Sequence, residues 1–107
     1  MEEKDYKEFR KFLPLWQERY IESLLNDYRK ILDSNQSAGE RFFQLKSKIV
    51  LDSKSYGVRA PANRNNADIV MINLTINDII CEDDVKTFTD EYQERLRKAR
   101  KAFRDCD

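Results

Sequence analysis

Residues 6–31 of this 107-residue chain, YKEFRKFLPLWQERYIESLLNDYRKI, decide its fold. Apolar side chains recur there at steps of three and four, which is the period of an α-helix. The positions are Tyr6, Phe9, Leu13, Trp16, Tyr20, Leu24, Tyr28 and Ile31. Proline removes a backbone donor and crowds the preceding turn of a helix. Because the pattern keeps its phase across Pro14, we expect either one kinked helix or two helices, the second opened by Pro14.

A second helix is predicted to begin after Ser37. Ser37 and Glu40 have the spacing of a capping box, in which the serine oxygen accepts a hydrogen bond from the third helical amide. The expected buried face consists of Ala38, Phe42, Leu45 and Ile49, with Phe43 and Val50 alongside. Gly57 is expected to end this helix in the left-handed conformation. Residues 58–66 are then expected to form a loop.

Residues 69–80 fit two patterns. Val70, Ile72, Leu74 and Ile76 alternate along the chain as in a strand, whereas Ile69, Ile72, Ile76 and Ile79 share one face of a helix. A lone strand would leave its backbone groups without partners. We therefore favour a helix here, and a strand would make the fold α+β instead.

The last helix is predicted to start at Cys81 and to run to the end of the chain. Ile80 and Val85 have the positions of a hydrophobic staple, and the acids that follow Cys81 fall in the positive first turn. The chain is thus expected to be one domain, residues 1–107, folded as an all-α bundle of four or five helices. A bundle this small has modest stability of its own, which makes a dimer an expectation.

The charged residues balance in number but are segregated along the chain. Residues 41–64 carry six bases and one acid, residues 65–94 eight acids and one base, and residues 95–107 six bases and two acids. A basic last helix, joined by the arginines of the loop at residues 58–66, is typical of a surface that contacts phosphates. The candidate nucleic-acid contacts are Arg59, Arg64, Arg97, Lys98, Arg100, Lys101 and Arg104. Bases at a helix end are also what the helix dipole favours, and the net charge is zero, so nucleic-acid binding is the alternative function.

The composition argues against catalysis. The chain has no histidine and only two glycines. The absence of histidine removes the commonest general base and most zinc sites, and two glycines are too few for a glycine-rich phosphate loop. Asp78, Glu82, Asp83 and Asp84 lack the ligand spacing of a calcium loop, and helix capping explains them better than a metal does. The same carboxylates oppose activation of the Cys81 thiol by the helix start. We expect no enzyme, no cofactor and no bound metal.

The chain is expected to be cytoplasmic. Its first five residues are mostly charged, which is unlike a secretory signal peptide, and no stretch approaches the apolar length of a membrane span. In that compartment Cys81 and Cys106 are expected to be free thiols.

Aromatic residues crowd the first third of the chain. They are either core residues or an exposed anchor for a protein partner, since aromatic side chains dominate interface hot spots. The candidate anchor residues are Tyr6, Phe9, Phe12, Trp16 and Tyr20. We expect a protein that acts by protein–protein interaction, as a homodimer or as an inhibitor, immunity or regulatory partner.

The C-terminal half carries a family likeness. The residues concerned are Gly57, Val58, Arg64, Ile80, Asp83–Val85, Phe88–Tyr92 and Glu94. This pattern resembles the closing half of small helical bacterial and phage-type proteins without assigned function. The resemblance implies a small cytoplasmic accessory protein, and it carries over no site residues.

Overall fold

The chain folds into five α-helices and one short 3-10 helix in a computed structural model that describes residues 1–105. The helices are α1 (Glu3–Leu32), α2 (Ala38–Asp52), α3 (Tyr56–Arg59), α4 (Ala67–Ile76) and α5 (Asp90–Asp105), and the 3-10 helix is Glu82–Val85. No strand occurs in the described part, so the predicted all-α class is confirmed and the α+β alternative is wrong. Cys106, predicted as a free thiol, lies outside the described residues.

The first helix continues through Pro14 as one element of 30 residues. Pro14 is exposed, so the carbonyl that loses its helical donor can be hydrated instead. The alternative of two separate helices is therefore wrong. At a rise of about 1.5 Å per residue α1 is about 45 Å long, which is most of the 51 Å length of the molecule.

The hydrophobic core lies between the first half of α1 and the elements that follow α2. Phe9, Ala67, Met71 and Leu74 are completely buried at its centre. We call this part, made of residues 1–17 and 56–105, the body. No helix of residues 1–105 is long and apolar enough to cross a membrane.

The last helix begins later than the sequence predicts. Residues 82–85 form the 3-10 helix, and α5 starts only at Asp90. Two contacts divide the predicted helix. The carboxylate of Asp84 accepts hydrogen bonds from the backbone of Cys81 (2.8 Å) and from Arg19, which holds the first turn against α1. The buried carboxylate of Asp5 accepts from the backbone and hydroxyl of Thr89, both at 2.8 Å, which fixes a new helix start there.

Gly57 does not end a helix in the left-handed conformation. No described glycine has a positive φ; α2 ends at Asp52, and Gly57 lies within α3. It is a glycine because a Cβ there would come within 2.6 Å of the Tyr20 ring and 2.9 Å of the Ile79 side chain. The predicted loop is correspondingly shorter, because α3 occupies its first residues.

Candidate interaction surfaces

The second half of α1 and α2 form a hairpin that projects from the body, residues 18–52. The loop between the two helices is short, and the Ser37 hydroxyl caps α2 by accepting from the amide of Glu40 at 3.2 Å, as predicted. The radius of gyration of the chain is 16.3 Å, whereas a compact domain of this size has about 13 Å. The projecting hairpin accounts for this elongation.

Polar contacts join the two helices of the hairpin, beside Leu24 of α1, which is buried outside the core of the body. Arg41 of α2 donates to the carbonyl of Leu32 at 2.9 Å and to that of Gln36 at 3.2 Å. Asp52 is the one buried residue of α2, and its carboxylate accepts from the Tyr28 hydroxyl at 2.7 Å. Desolvation at this contact and the hydrogen bond to Asp52 raise the pKa of Tyr28 to about 12. Lys48, one turn before Asp52, completes the cluster at 3.1 Å.

Most apolar side chains of α2 point away from α1. The predicted buried face is wrong, because Leu45 is only half-buried and the remaining members are exposed. Phe42 is 61% exposed, Phe43 63%, Ile49 44% and Val50 50%. The strip that contacts α1 is made instead of Arg41, Leu45, Lys48 and Asp52. An α-helix of 15 residues is marginal alone, and this one contributes no buried apolar side chain to residues 1–105.

The second half of α1 is apolar on the same side of the hairpin. Leu25 and Leu32 are 42% and 47% exposed. At 100° per residue they are turned by about 90° from the strip of α1 that contacts α2. Phe42 and Ile49 are turned in the same angular sense from the strip of α2 that contacts α1. Since the helices of a hairpin run in opposite directions, both sets lie on one side. We call this side the apolar face. Leu25, Leu32, Phe42 and Ile49 lie on it, and Phe43 and Val50 adjoin it at the edge of α2 that points away from α1.

The apolar face is open along its length. Lys46 lies near the middle of its α2 edge by helical position, and Phe42 and Phe43 contact each other edge to face at 5.2 Å between ring centroids. A Cβ built at Gly39, on the same side of α2, would meet no described atom within 4 Å. Nothing in residues 1–105 therefore covers this surface.

The apolar face was not predicted from the sequence, although the sequence carries a signal for it. Phe42–Phe43 and Ile49–Val50 are two apolar pairs seven residues apart, and Arg41 and Lys48 repeat with the same spacing beside them. Arg41 and Lys48 form a polar strip on the side of α2 that faces α1. The apolar pairs can therefore face outward.

The predicted aromatic anchor lies mostly in the core. Phe9 is inaccessible, and Tyr6 and Trp16 are buried at 9% and 3% exposure. Phe12 and Tyr20 are half-buried, and Phe12 stacks on Trp16 at 5.8 Å. The folded chain thus uses these residues as the core, which corrects the expectation of an exposed anchor there.

The candidate nucleic-acid contacts are mostly engaged within the chain. Arg97 lies 3.1 Å from both Glu82 and Glu94, Arg100 donates to the carbonyl of Ile80 at 3.1 Å, and Arg104 lies 3.8 Å from Asp78. On the other side of the body, Arg64 pairs with Glu3 at 2.6 Å and stacks over the Tyr6 ring. Arg59, Lys98 and Lys101 are exposed. The acidic segment 78–84 thus provides ion-pair and hydrogen-bond partners for the arginines of the basic helix.

The acidic segment is arranged around Arg19. The guanidinium donates to both oxygens of Asp84, at 2.8 and 2.9 Å, and to the carbonyl of Ile79 at 3.1 Å. The hydrogen bonds from Arg19 lower the pKa of Asp84, and Asp84 in turn raises the pKa of Arg19. Among residues 1–105 no cluster of three or more potential metal ligands is present. Cys81 is an exposed free thiol.

Two shallow grooves flank the body. One of about 450 Å³ lies between the start of α1 and α5, lined by Asp5, Thr89, Tyr92 and Arg95 among others. A second of about 700 Å³ lies where α2 meets α3 and α4, lined by Tyr20, Asp52, Arg59 and Asn73 among others. Both are open and mixed in polarity. Their buried carboxylates, Asp5 and Asp52, already have partners within the chain.

Comparison of the chain with protein-family models, with curated proteins and with solved structures found no match. Its function is therefore argued from its own surfaces. They define a small all-α protein with a body that contains the buried core and a projecting hairpin whose apolar face is uncovered.

Proposed function

We propose that this chain acts by binding another protein through the apolar face of its hairpin, without catalysis. The observation that carries the proposal is the set of six exposed apolar side chains on the apolar face and its adjoining α2 edge. Scattered apolar residues are normal on a protein surface, whereas a contiguous patch of this kind marks an interaction site. Two neighbouring phenylalanines give it the large aromatic contact area that interface hot spots use.

The size of the face supports a protein partner. Taking about 200 Å² for a phenylalanine and about 100 Å² for an aliphatic side chain, the exposed fractions correspond to roughly 400 Å² of apolar surface. The largest patch on a typical monomer covers about 300–600 Å² and is often functional. The face is also open rather than enclosed, which suits a helix or a second hairpin better than a small molecule.

Nucleic-acid binding remains the second proposal. Of its seven candidate residues, three arginines are in contact with the acidic segment 78–84 and a fourth with Glu3. A phosphate contact would have to compete with these partners. The exposed cations Arg59, Lys98 and Lys101 are fewer than a dedicated phosphate-binding surface uses.

Site-specific photo-crosslinking in the native host tests the proposed function. A photoreactive phenylalanine analogue replaces Phe42, and in a control it replaces Lys30, which is exposed on the opposite side of the same hairpin. We expect protein adducts from position 42 and none above background from position 30. Equal adduct yields at both positions, or none at position 42, would contradict the proposal.

Cytoplasmic location is part of the proposal and rests on the composition of the chain. Fractionation of host cells with an antibody against the protein tests it. Recovery in the membrane or the secreted fraction would contradict it.

A further inference from the structure

We infer that the occupant of the apolar face is a second copy of this chain, bound antiparallel so that two hairpins form a four-helix bundle. The inference rests on the proposed function and names the partner. In this arrangement a two-fold axis runs perpendicular to the helices, near the middle of each hairpin. Each α1 then lies on the α1 of the other copy, and each α2 on the other α2.

The area of the face is what a dimer needs. A standard interface buries about 800 Å² on each partner, of which about 57% is apolar. The roughly 400 Å² of exposed apolar surface on one hairpin therefore matches the apolar share of one side of such an interface. Two hairpins that bury these faces against each other have the architecture of a four-helix bundle.

The apolar residues of α2 are arranged for self-packing. The large side chains, Phe42 and Phe43, lie in its first half, and the smaller Ile49 and Val50 lie one heptad later. In an antiparallel pair the aromatic half of one α2 lies on the aliphatic half of the other. Phe42 of each copy thus faces the smaller Ile49 of the other, with Phe43 and Val50 at the edge of the contact, as an interdigitated helix interface requires.

The charges at the edge of α1 are complementary in the same arrangement. Glu22 and Arg29 are both exposed and lie seven residues apart, on the outer side of Leu25. The midpoint between them is residues 25–26, the middle of the α1 part of the hairpin. An antiparallel α1 places Glu22 of each copy beside Arg29 of the other, which gives two reciprocal ion pairs at the rim.

The body does not obstruct this approach. Phe9, Leu13 and Trp16 mark the side of α1 that packs on the body. By helical position this side is turned away from the side that bears Leu25 and Leu32. The two bodies of an antiparallel dimer also lie at opposite ends of the bundle.

Sedimentation equilibrium with charge-reversed variants tests the arrangement. The wild-type chain is expected at about 100 µM as a species of twice 12.8 kDa. Glu22→Arg and Arg29→Glu, each alone, replace two attractive contacts by two repulsive ones and should raise the dimer Kd about tenfold or more. An equimolar mixture of the two variants restores opposite charges at both contacts, so it should dimerise with an affinity near that of the wild type.

A second pair of variants tests the face itself. Ile49→Ser should raise the dimer Kd at least tenfold. Leu51→Ser should not, because Leu51 is 67% exposed on another side of the same helix. Circular dichroism checks that both variants fold.

Failure of the inference and failure of the proposed function are distinguishable. A monomeric wild-type chain, or a mixture of the charge variants that stays monomeric, overturns the homodimer. If crosslinks from position 42 nevertheless join the chain to a different protein, the proposed function stands with another partner. If the chain is monomeric and position 42 gives no adduct, both are wrong.

Discussion

At the scale of single residues, several side chains have roles that their neighbours in space define. Gly57 is buried under the Tyr20 ring, Asp5 receives two hydrogen bonds from Thr89, and Asp52 receives one from Tyr28. Both acids are almost inaccessible, at 1% and 9% exposure. Buried carboxylates are costly unless hydrogen-bonded, so each of them specifies one arrangement of the two elements that it joins.

Gly57→Ala tests the close approach of Tyr20. The added methyl group would lie 2.6 Å from the ring and must displace it, so we expect a loss of about 1–2 kcal/mol in the free energy of unfolding. Gly39→Ala is the matched control, because Gly39 is also helical and has open space around it. That change should stabilise the protein by about 0.5–1 kcal/mol, since alanine favours helix. Urea denaturation measures both, and equal effects of the two substitutions would contradict the assignment.

At the scale of elements, the contacts between helices differ in kind: they are mainly apolar in the body and mainly polar in the hairpin. In the body, α1 packs through aromatic residues, with Trp16 on Phe88 at 6.3 Å between ring centroids. In the hairpin, hydrogen bonds of Arg41 and Asp52 join α2 to α1, and α2 adds no buried apolar side chain. Because apolar burial provides most of the stability of a packed helix, we expect α2 to open more easily than the body in the isolated chain.

The ion pair that ties the 3-10 helix to α1 predicts a dependence of stability on pH. The Arg19 guanidinium lowers the pKa of Asp84 below that of the unfolded chain, which is about 3.9. A carboxylate of this kind contributes stability above the unfolded pKa and loses it as the pH falls through the folded pKa. We therefore expect Asp84→Asn to cost about 1 kcal/mol at pH 7 and to flatten the loss of stability between about pH 5 and pH 2.

Asp83→Asn is the control for this prediction. Asp83 lies in the same segment, but its side chain is 82% exposed. Its pH profile should follow that of the wild type when the free energy of unfolding is measured by urea denaturation at each pH. A profile of Asp84→Asn that matches the wild type would show that the Arg19 contact carries no net stability.

At the scale of the whole molecule, the charge segregation seen in the sequence becomes contact between oppositely charged segments. The acidic segment 78–84 lies against the arginines of α5, and Asp84 reaches across to α1. The arginines of the basic helix thus bond to the acidic segment of the body, while the apolar face of the hairpin stays uncovered. This division of roles is the basis for proposing protein binding over nucleic-acid binding.

The combined substitution of Arg97, Arg100 and Arg104 by glutamate tests this division. It reverses the charges that face Glu82, Ile80 and Asp78, so the Tm should fall, most steeply at low salt. Lys98→Glu with Lys101→Glu, on the same helix, should change the Tm less. Binding to duplex DNA is measured across salt concentrations for each protein. Tight wild-type binding that weakens steeply with salt and disappears in the triple variant would favour the nucleic-acid alternative.

Helical class and the larger elements were predictable because they depend on local properties. The period of apolar residues in α1 persists across Pro14, and Ser37 caps α2 where the sequence places the cap. The division before α5 was not predictable, because Asp5, 84 residues away from Thr89, creates the new start. The candidate site was missed for the same reason: periodicity shows that α2 has an apolar side but not which side meets α1.

The sequence by itself determined that the chain is helical, that its charges are segregated and that Tyr6, Phe9 and Trp16 belong to one side of one helix. Only the tertiary structure decided which sides are covered. The polar cluster of Tyr28, Lys48 and Asp52 turns α2 so that Phe42 and Ile49 face outward. The physical reason is that a buried carboxylate must keep its hydrogen-bond partners, and satisfying Asp52 sets the rotation of the whole helix.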